Sequence, residues 1–371
     1  MQMSETRGTD TGLLSVSIVA GPAANSLLAR REGLPGTIIE QPSGANPDQV
    51  IERIRSLAAQ SGVDNLIIQC ESERPAMAYA SLFVDGVADV AHLETTIFAI
   101  STTTFLDSIL DRAADSIPTT FVTEQMEFVD RIVFENGAPD FDLAQSIALA
   151  LNPRAQVSRL ADVTEEWWRS VPKRPVDFNA SLAGAGWRQL LEGRQELSSD
   201  NRITALGYSA RRPFHPERFA NFIRQKSLGV FRAKGFFWLA SRMDEVGGLN
   251  LAGAELHCSS AGSWWATRDA GSREADMPEH AREQWQEPFG DRRQTFGIMA
   301  LAVDRQGLKS ALDACLLNDA EMSQGPGSWS SFSDPFPSWS HHHHHHSHEH
   351  DGECDHDHHH HDSDDHHCCQ H

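Results

Sequence analysis

The strongest chemical signal in this sequence is a concentration of metal-ligating side chains near its carboxyl end. Residues 341–371 contain 16 of the 20 histidines and three of the six cysteines of the 371-residue chain. Imidazole and thiolate are the donors that zinc, nickel and cobalt prefer, and zinc usually takes four donors in a tetrahedron. The residues that we expect to bind metal are His341, His342, His343, His344, His345, His346, His348, His350, Cys354, His356, His358, His359, His360, His361, His366, His367, Cys368, Cys369 and His371.

Acidic residues also occur throughout this segment. We call residues 340–371 the tail. Eight Asp and Glu residues are interleaved with the histidines, and the tail contains no Lys or Arg. The carboxylates raise the local concentration of cations and can accept a hydrogen bond from the imidazole nitrogen that does not bind metal. Because the acids repel one another and apolar residues are absent, we expect the tail to be disordered without metal. Its affinity should fall as histidines become protonated below about pH 6.5.

An expression tag is the alternative explanation for His341–His346, which are six histidines in succession. The interleaved acids, the second run His358–His361 and the adjacent Cys368 and Cys369 do not resemble an engineered tag. We therefore interpret the tail as a metal-binding segment. The Irving–Williams order favours copper, with zinc next by availability, so the donor set alone leaves the metal open.

The overall composition argues against several classes of protein. The formal net charge is -21 at pH 7, which opposes binding to nucleic acid or to an anionic membrane surface. No apolar run approaches the roughly 18 residues that span a bilayer, and residues 1–11 do not resemble a secretory signal. Six cysteines in so long a chain do not indicate a disulfide framework. We expect a cytoplasmic protein.

Residues 13–162 carry a pattern that predicts a parallel α/β sheet. Short apolar runs at 13–21, 65–70, 95–101 and 131–136 are typical of buried strands. Between them, segments such as 46–60 place apolar residues at helical spacing. Strands that alternate with helices imply a parallel sheet covered by helices.

The second half of the chain predicts a different architecture. The connector contains Trp167, Trp168 and Trp187, which we expect to hold it against a neighbouring surface. Beyond it, strand and helix patterns predict a mixed α+β unit. The predicted organisation is a disordered segment over residues 1–12, an α/β domain over 13–162, a connector over 163–202, an α+β domain over 203–339 and a disordered tail over 340–371.

Outside the tail, we expect the cysteines and histidines to have structural roles. Cys70 and Cys315 lie in apolar runs and should be buried in the core. His257 and Cys258 are adjacent on a predicted strand, so their side chains point to opposite faces and cannot easily share one metal ion. His215 precedes Pro216 and should help to begin a helix, with a metal or partner role as the alternative.

Six segments of the second domain occur in an order typical of one protein family. They are SARRPFHPERF (209–219), GVFRAKGFFWLASR (229–242), GSWWA (262–266), FGDRRQ (289–294), LDACLLNDAEM (312–322) and DPFPSW (334–339). These segments resemble the C-terminal domain of the CobW-type metallochaperone family. The resemblance implies a P-loop GTPase domain of the SIMIBI class, followed by a smaller α+β CobW C-terminal domain. It also favours zinc as the metal, with cobalt for cobalamin as the alternative.

The first domain departs from the family at its phosphate-binding loop. In the family this loop carries glycines and a Lys-Thr pair, but here it continues after Gly21 as PAANSLL, with Asn25 and Ser26 in place of that pair. A phosphate cradle needs glycines for close backbone approach and a Lys for the β- and γ-phosphates. Gly21, Asn25 and Ser26 are therefore the candidate remnants of a nucleotide site.

Three further family motifs are altered. Segment 40–49 contains no cysteine where the family has GCICC, and Arg74 replaces the Glu that precedes Pro75 in the next motif. FENG (134–137) stands where the family has NKxD, so the Asp that would bind guanine is missing. Phosphoryl transfer depends on positioning and charge neutralisation. We therefore predict a degenerate P-loop-like domain without GTP hydrolysis.

Three functions remain open from the sequence. The first is a zinc-binding metallochaperone or metal-homeostasis protein, which holds zinc in its tail and serves a metal-requiring client protein. The second is a chaperone GTPase for zinc or cobalt that still uses GTP and Mg²⁺ through divergent motifs. The third is a non-catalytic partner of an intact CobW-type GTPase or of a second copy of this chain.

Overall fold

The computed structural model describes residues 13–31, 36–71, 74–111, 117–136, 140–171, 175–193, 202–225 and 229–339. The chain separates into a unit over residues 1–338 and a unit over residues 339–371. Residues 1–12 and the tail lie outside the described residues, so the disorder predicted at these two segments stays a prediction.

The first part of the chain forms a six-stranded parallel sheet, which confirms the predicted α/β class. The strand order is β2-β3-β1-β4-β5-β6, and every pair is parallel. Strand β1 therefore lies between β3 and β4, where the strand order reverses and where ligands bind in open α/β sheets. The strands are β1 (Leu14–Ala20), β2 (Thr37–Glu40), β3 (Asn65–Gln69), β4 (Ala91–Ser101), β5 (Arg131–Glu135) and β6 (Gln156–Arg159).

Seven helices accompany this sheet in the described residues: α1 (Ala24–Leu28), α2 (Pro47–Ala58), α3 (Ala76–Ala80), α4 (Leu82–Asp85), α5 (Thr102–Ile109), α6 (Thr119–Phe128) and α7 (Phe141–Leu151). Helix α2 shows how the sequence specifies them. Asn46 and Gln49 form a capping box at its start, and Pro47 occupies its first turn. Val50, Ile54 and Leu57 are its buried residues, as their spacing predicts.

The central strands of this sheet carry buried apolar side chains on both faces. Val16 and Ile18 of β1 belong to one buried cluster, whereas Val19 belongs to another that also contains Ile67 and Ile97. Successive side chains of a strand point to opposite faces, so burial on both sides requires a continuous apolar run. This explains why these strands are easily recognised in the sequence.

The second part forms a five-stranded antiparallel sheet, which confirms the predicted α+β character. Its strand order is β10-β9-β8-β11-β7, with β7 (Ile203–Ala210), β8 (Val230–Phe237), β9 (Glu245–Ala252), β10 (Glu255–Ser263) and β11 (Gln294–Leu301). The helices described after β6 are α8 (Glu165–Arg169), α9 (Phe178–Ala183), α10 (Gly186–Leu191), α11 (Pro216–Ile223), α12 (Ala270–Asp276), α13 (Glu279–Glu283), α14 (Arg305–Asp313), α15 (Asp319–Ser323) and α16 (Pro326–Trp329).

Helix α10 of the connector packs closely against strands β7 and β11 and against helix α7. A Cβ added to Gly207 or Gly297 would lie 2.3 Å from a carbonyl oxygen of this helix. A Cβ added to Gly186, at the start of the helix, would lie 1.9 Å from the Ala150 oxygen of α7. Trp168 and Trp187 are buried, which confirms that the connector is held against neighbouring surfaces.

A buried ion pair joins helix α6 to the second sheet. Arg232 of β8 donates from Nε to Glu127 Oε1 at 2.5 Å and from Nη2 to Glu127 Oε2 at 3.1 Å. Its Nη1 donates to Asn250 Oδ1 at 2.6 Å and to the Leu251 oxygen at 3.0 Å. Both charged side chains are buried, so the bidentate pair and its additional hydrogen bonds offset the cost of removing the charges from water.

Further polar contacts extend this junction along α6. At the start of the helix, Glu255 of β10 accepts hydrogen bonds from the backbone nitrogens of Thr119 (2.6 Å) and Thr120 (3.0 Å). Burial raises the pKa of Glu255, but the hydrogen bonds from Thr120 and Thr119 outweigh it and lower the pKa overall. Near the middle, Glu124 pairs with Lys234 at 3.3 Å. The helix is therefore fixed to the second sheet over most of its length.

We predict that Glu127→Gln strongly destabilises the fold, because the Arg232 guanidinium would stay buried without its counter-charge. The free energy of unfolding should fall by about 3–5 kcal/mol in urea titrations followed by circular dichroism. Glu124→Gln is the matched control, since that pair is partly exposed and should cost about 1 kcal/mol or less. Equal losses in the two variants would contradict the role given to the buried pair.

Candidate functional site

The turn between β1 and α1 is closed by hydrogen bonds within the protein. Only Gly21, Pro22 and Ala23 connect the strand to the helix. The Ala23 nitrogen donates to the Ala99 oxygen of β4 at 3.0 Å, and the Ala24 nitrogen donates to the Gly21 oxygen at 3.0 Å. These amides therefore do not point to an open cradle of the kind that binds phosphate.

Gly21 is required at this turn for steric reasons. Its φ is +101°, and an added Cβ would lie 2.2 Å from the Ala99 oxygen. The glycine thus permits close contact with β4 rather than close approach of a phosphate. This contact explains why the glycine is present while the other glycines of a phosphate-binding loop are not.

The other two candidate remnants lie in α1, next to this turn. Asn25 is exposed, and its Oδ1 accepts a hydrogen bond from Gln69 Nε2 at 2.8 Å. Ser26 is half-buried. Their helical neighbours Leu27 and Leu28 are packed into the core cluster that includes Trp168. The structure therefore brings Gly21, Asn25 and Ser26 together, but on a short, packed segment that carries no lysine.

The positive charge of Arg31, shortly after α1, contacts the connector. The Arg31 guanidinium lies over the Trp168 ring, 4.6 Å from the ring centroid. Burial lowers the pKa of Arg31, and the neighbouring Glu94 acts in the opposite direction. This cation–π contact ties the connector to the end of the helical segment that begins with α1.

The segments that correspond to the other altered motifs are also held by protein groups. Glu71, just after β3, accepts a hydrogen bond from the Gly44 nitrogen at 2.8 Å. Arg74 donates to the Ala45 oxygen at 2.7 Å, so segment 40–49 is tied to the loop after β3. At the end of β5, Asn136 has a φ of +55°, and Gly137 lies outside the described residues.

The described cysteines are not arranged to bind metal. Cys70 and Cys315 are buried, as predicted, and burial raises the pKa of Cys70 to about 12 and of Cys315 to about 11. Burial also raises the pKa of the half-buried Cys258 to about 11. A thiol must lose its proton to bind metal, so these three are poor ligands at neutral pH. Among the residues with described positions, no group of three or more His, Cys, Asp and Glu side chains could hold a metal ion.

His215 begins a helix, as the sequence predicts. It immediately precedes α11, and its backbone nitrogen donates to the backbone oxygen of Cys315 at 2.9 Å. Its ring stacks on Phe332, with the centroids 4.9 Å apart. Burial lowers the pKa of His215, and Arg218 acts in the same direction, so the ring is neutral near pH 7.

The FGDRRQ segment has a structural role that the sequence did not reveal. Asp291 accepts hydrogen bonds from the backbone nitrogens of Trp265 (3.1 Å) and Ala266 (2.9 Å). The fully buried Gln294 donates to the Trp238 oxygen at 2.9 Å and accepts from the Trp238 nitrogen at 3.0 Å. Arg292 is buried and donates from Nε to the Met243 oxygen at 2.7 Å, so it too has a structural role.

The LDACLLNDAEM segment is fixed to α11 by an ion pair. Arg218 donates to both carboxylate oxygens of Glu321 at 2.7 Å and to the Leu316 oxygen at 2.9 Å. The hydrogen bonds from Arg218 lower the pKa of Glu321 to about 2. The motifs that carry the family resemblance in this domain thus hold its helices and strand ends together.

All of the predicted metal ligands of the tail lie outside the described residues. Their participation in metal binding therefore stays a prediction. None of the helices in the described part of the chain combines the length and the hydrophobicity that a membrane crossing requires.

We predict that Gly21→Ala destabilises the protein more than Gly44→Ala does. Both glycines have positive φ, but an added Cβ at Gly44 would meet nothing within 4 Å, whereas at Gly21 it would meet the Ala99 oxygen. Backbone strain alone should cost about 1–3 kcal/mol at Gly44, and the clash at Gly21 should add roughly as much again. Urea unfolding of both variants measures the difference. A Gly21→Ala variant as stable as Gly44→Ala would show that the turn is not closed against β4.

Comparison with known proteins agrees with this architecture. Residues 203–316 match the family model of the cobalamin synthesis protein CobW C-terminal domain. The chain is 33% identical over 220 residues to the zinc chaperone Rv0106 of Mycobacterium tuberculosis, covering 58% of this chain and 53% of that protein. It thus spans about half the length of this relative.

A second relative matches over a longer range. The zinc-regulated GTPase metalloprotein activator 1 of Dictyostelium discoideum is 27% identical over 319 residues, which is 78% of this chain and 67% of that protein. Among solved structures, the Zn(II)-bound YjiA GTPase from E. coli aligns with 82% of this chain and 99% of its own, at 12% identity and a TM-score of 0.33. The family model thus identifies residues 203–316 as a CobW C-terminal domain, and the sequence similarity to the two relatives extends beyond that domain.

Proposed function

We propose that this chain is a zinc-binding metallochaperone or zinc-homeostasis protein that holds its metal in the tail. The observation that carries the proposal is the concentration of 16 histidines and three cysteines in residues 341–371, without any Lys or Arg. One relative is named a zinc chaperone and another a zinc-regulated activator, which supports zinc over the other divalent metals.

The tail chemistry suits reversible capture of a cargo ion. Any four nearby imidazole or thiolate groups complete a tetrahedral zinc site, so many alternative sites of similar stability exist along the tail. An ion held in this way can exchange one donor at a time, which favours transfer to a protein with a more rigid site. We propose that the recipient is a metal-requiring client protein, as the names of the two relatives suggest. The cytoplasmic location predicted from the sequence stays a prediction.

We further propose that the first sheet is a scaffold that does not hydrolyse GTP. The three-residue turn after β1 supports this, because its Ala23 amide donates to the Ala99 oxygen and neither the turn nor α1 contains a lysine. Without that charge, little neutralises the γ-phosphate in the transition state. The alternative is a GTP-dependent zinc or cobalt chaperone with divergent motifs, which the name of the Dictyostelium relative favours. It requires the turn to open and release its hydrogen bonds to β4.

A non-catalytic partnership is the remaining candidate. In that role the chain would associate with an intact CobW-type GTPase or with a second copy of itself. The segment after Gly21, residues 22–28, contains no lysine. This is compatible with a non-catalytic role, since the partner would then supply the nucleotide site. Metal binding by the tail is common to this candidate and to the chaperone role.

We predict that the tail supplies the zinc capacity of the full chain. In calorimetric titration near neutral pH, the full chain should bind several zinc ions, up to about four if each takes four donors. A chain ending at Ser340 should lose this capacity. Lowering the pH to about 5.5 should reduce it as well, because protonated imidazole does not bind metal.

The matched control replaces two exposed histidines that lie outside the tail. The His257→Gln, His280→Gln double variant keeps every tail donor and should bind as many zinc ions as the unchanged protein. Equal stoichiometry for the full chain and the chain ending at Ser340 would remove the role assigned to the tail.

A further inference from the structure

Two arginines occupy opposing positions at one end of the ladder between strands β7 and β11. The last pair of this ladder is Ala210 with Gln294, so Arg211 and Arg293 are the next residues on the two strands. We call them the arginine pair. Opposing positions of antiparallel strands lie about 5 Å apart, and like charges placed there are destabilising. Because arginine stays charged at neutral pH, this arrangement is unfavourable unless an anion offsets it.

The pKa of Arg293 reflects the nearby positive charge. Burial lowers this pKa, Arg211 lowers it further, and Asp291 acts in the opposite direction. The Asp291 carboxylate is itself shared with the backbone nitrogens of Trp265 (3.1 Å) and Ala266 (2.9 Å). Arg293 donates only to the backbone oxygen of Asp291, from Nη1 at 2.8 Å. Asp291 therefore does not serve as a dedicated counter-ion for the arginine pair.

In the part of the chain that the structure describes, neither member of the arginine pair forms an ion pair with a carboxylate. Their neighbours in the sequence differ in this respect. Arg212 pairs with Asp319 at 2.7 Å, and Arg292 pairs with Asp244 at 3.6 Å. In a chain with 52 acidic residues, two adjacent arginines without an acidic partner are a specific feature of this location.

Several donor groups of the arginine pair stay available. Arg211 donates from Nη1 to the Gln284 backbone oxygen at 2.7 Å and from Nη2 to Gln284 Oε1 at 3.2 Å. Its Nε has no acceptor among the residues with described positions, and neither do Nε and Nη2 of Arg293. None of these three atoms is a buried group without a partner, so solvent reaches them. The existing hydrogen bonds hold both guanidinium groups in place while their other N–H groups can bind a ligand.

Charge and geometry favour a phosphate group as that ligand. One carboxylate neutralises one guanidinium, whereas a phosphate monoester carries a charge of about -1.5 to -2 near pH 7 and offers three oxygens. Guanidinium groups bind such oxygens through paired N–H groups. The net charge of -21 repels anions, but salt screens this repulsion beyond roughly 8 Å, so binding depends on direct contact with the two arginines.

We propose that Arg211 and Arg293 form a binding site for a phosphate group, supplied either by free phosphate or by a phosphate ester. The anion supplies the counter-charge that the arginine pair lacks within the protein. Both arginines lie in segments that carry the resemblance noted above, SARRPFHPERF and FGDRRQ. None of the site residues belongs to the tail or to the turn at Gly21, so this site is independent of the proposed zinc binding.

The test is calorimetric titration of the full chain at constant ionic strength, with EDTA present so that no metal held by the protein binds phosphate. Inorganic phosphate should bind saturably, with a dissociation constant of about 1 mM or tighter, whereas acetate should not. The two sources are distinguished with N-acetyl-O-phosphoserine amide. Equal or tighter binding of this compound assigns the site to a phosphate ester, and binding of inorganic phosphate alone assigns it to free phosphate.

Two substitutions of Arg211 connect this binding to the arginine pair. Arg211→Gln removes one charged donor and should weaken phosphate binding roughly tenfold or more. Arg212→Gln is the matched control, because it removes the adjacent arginine, which is already paired with Asp319, and should leave phosphate binding unchanged. Arg211→Glu supplies a carboxylate next to Arg293. It should abolish phosphate binding without lowering the melting temperature measured in the absence of phosphate.

Four results would overturn the proposal. The unchanged protein fails to bind phosphate saturably, or it binds acetate as tightly as phosphate. Arg211→Gln binds phosphate as tightly as Arg212→Gln, which would place the anion elsewhere. Arg211→Glu is folded but melts at a lower temperature than the unchanged protein, which would show that the arginine pair does not lack a counter-charge. None of these results bears on the zinc capacity of the tail, which the titration of the shortened chain tests separately.

Discussion

The buried pair of Arg232 and Glu127 is the charged interaction that links the two sheets of this protein within their shared core. Glu127 belongs to a helix that leads directly into a strand of the parallel sheet, and Arg232 belongs to the antiparallel sheet. A pair of this kind resists separation, because either charge left alone in the interior is strongly unfavourable. The contacts of Glu255 with the start of the same helix add to this constraint. Helix α6 therefore belongs structurally to both sheets.

The closed turn at Gly21 places a second constraint on the parallel sheet. In an intact phosphate-binding loop, free backbone amides and a lysine face the ligand. Here Ala23 bonds to β4, Asn25 bonds to Gln69, and the first helix is packed against Trp168 of the connector. These contacts occupy the Ala23 amide and the Asn25 side chain with partners inside the protein. In the function proposed above, the folded part is a scaffold and the donor-rich tail binds the metal.

The sequence predicted the elements whose burial leaves a simple pattern. Strands such as β1 and β3 are rich in apolar residues because both of their faces are buried. Strand β9, with the sequence EVGGLNLA, is interrupted by two glycines and lacks such a pattern. Helix α11 begins at Pro216, directly after His215 as predicted, because proline fits the first turn of a helix.

The site was predictable in part, for similar physical reasons. The sequence predicts the altered nucleotide motifs residue by residue, but it does not reveal the closed turn, which depends on contact with the distant residue Ala99. The partnership of Arg232 with Glu127 joins residues 105 positions apart, and each residue alone is typical of a protein surface. Zinc binding by the tail would not require donors at fixed positions, so its amino-acid composition is the only sequence signal for a metal-binding role.

Titration of the full chain with a fluorescent GTP analogue and Mg²⁺ tests most directly whether the closed turn excludes nucleotide. The geometry predicts no saturable binding up to about 100 μM, since neither a phosphate cradle nor the lysine charge is available. Saturable binding in the micromolar range that unlabelled GTP displaces would contradict it. Such a result would show that the turn opens and that the first sheet keeps the nucleotide function of the family.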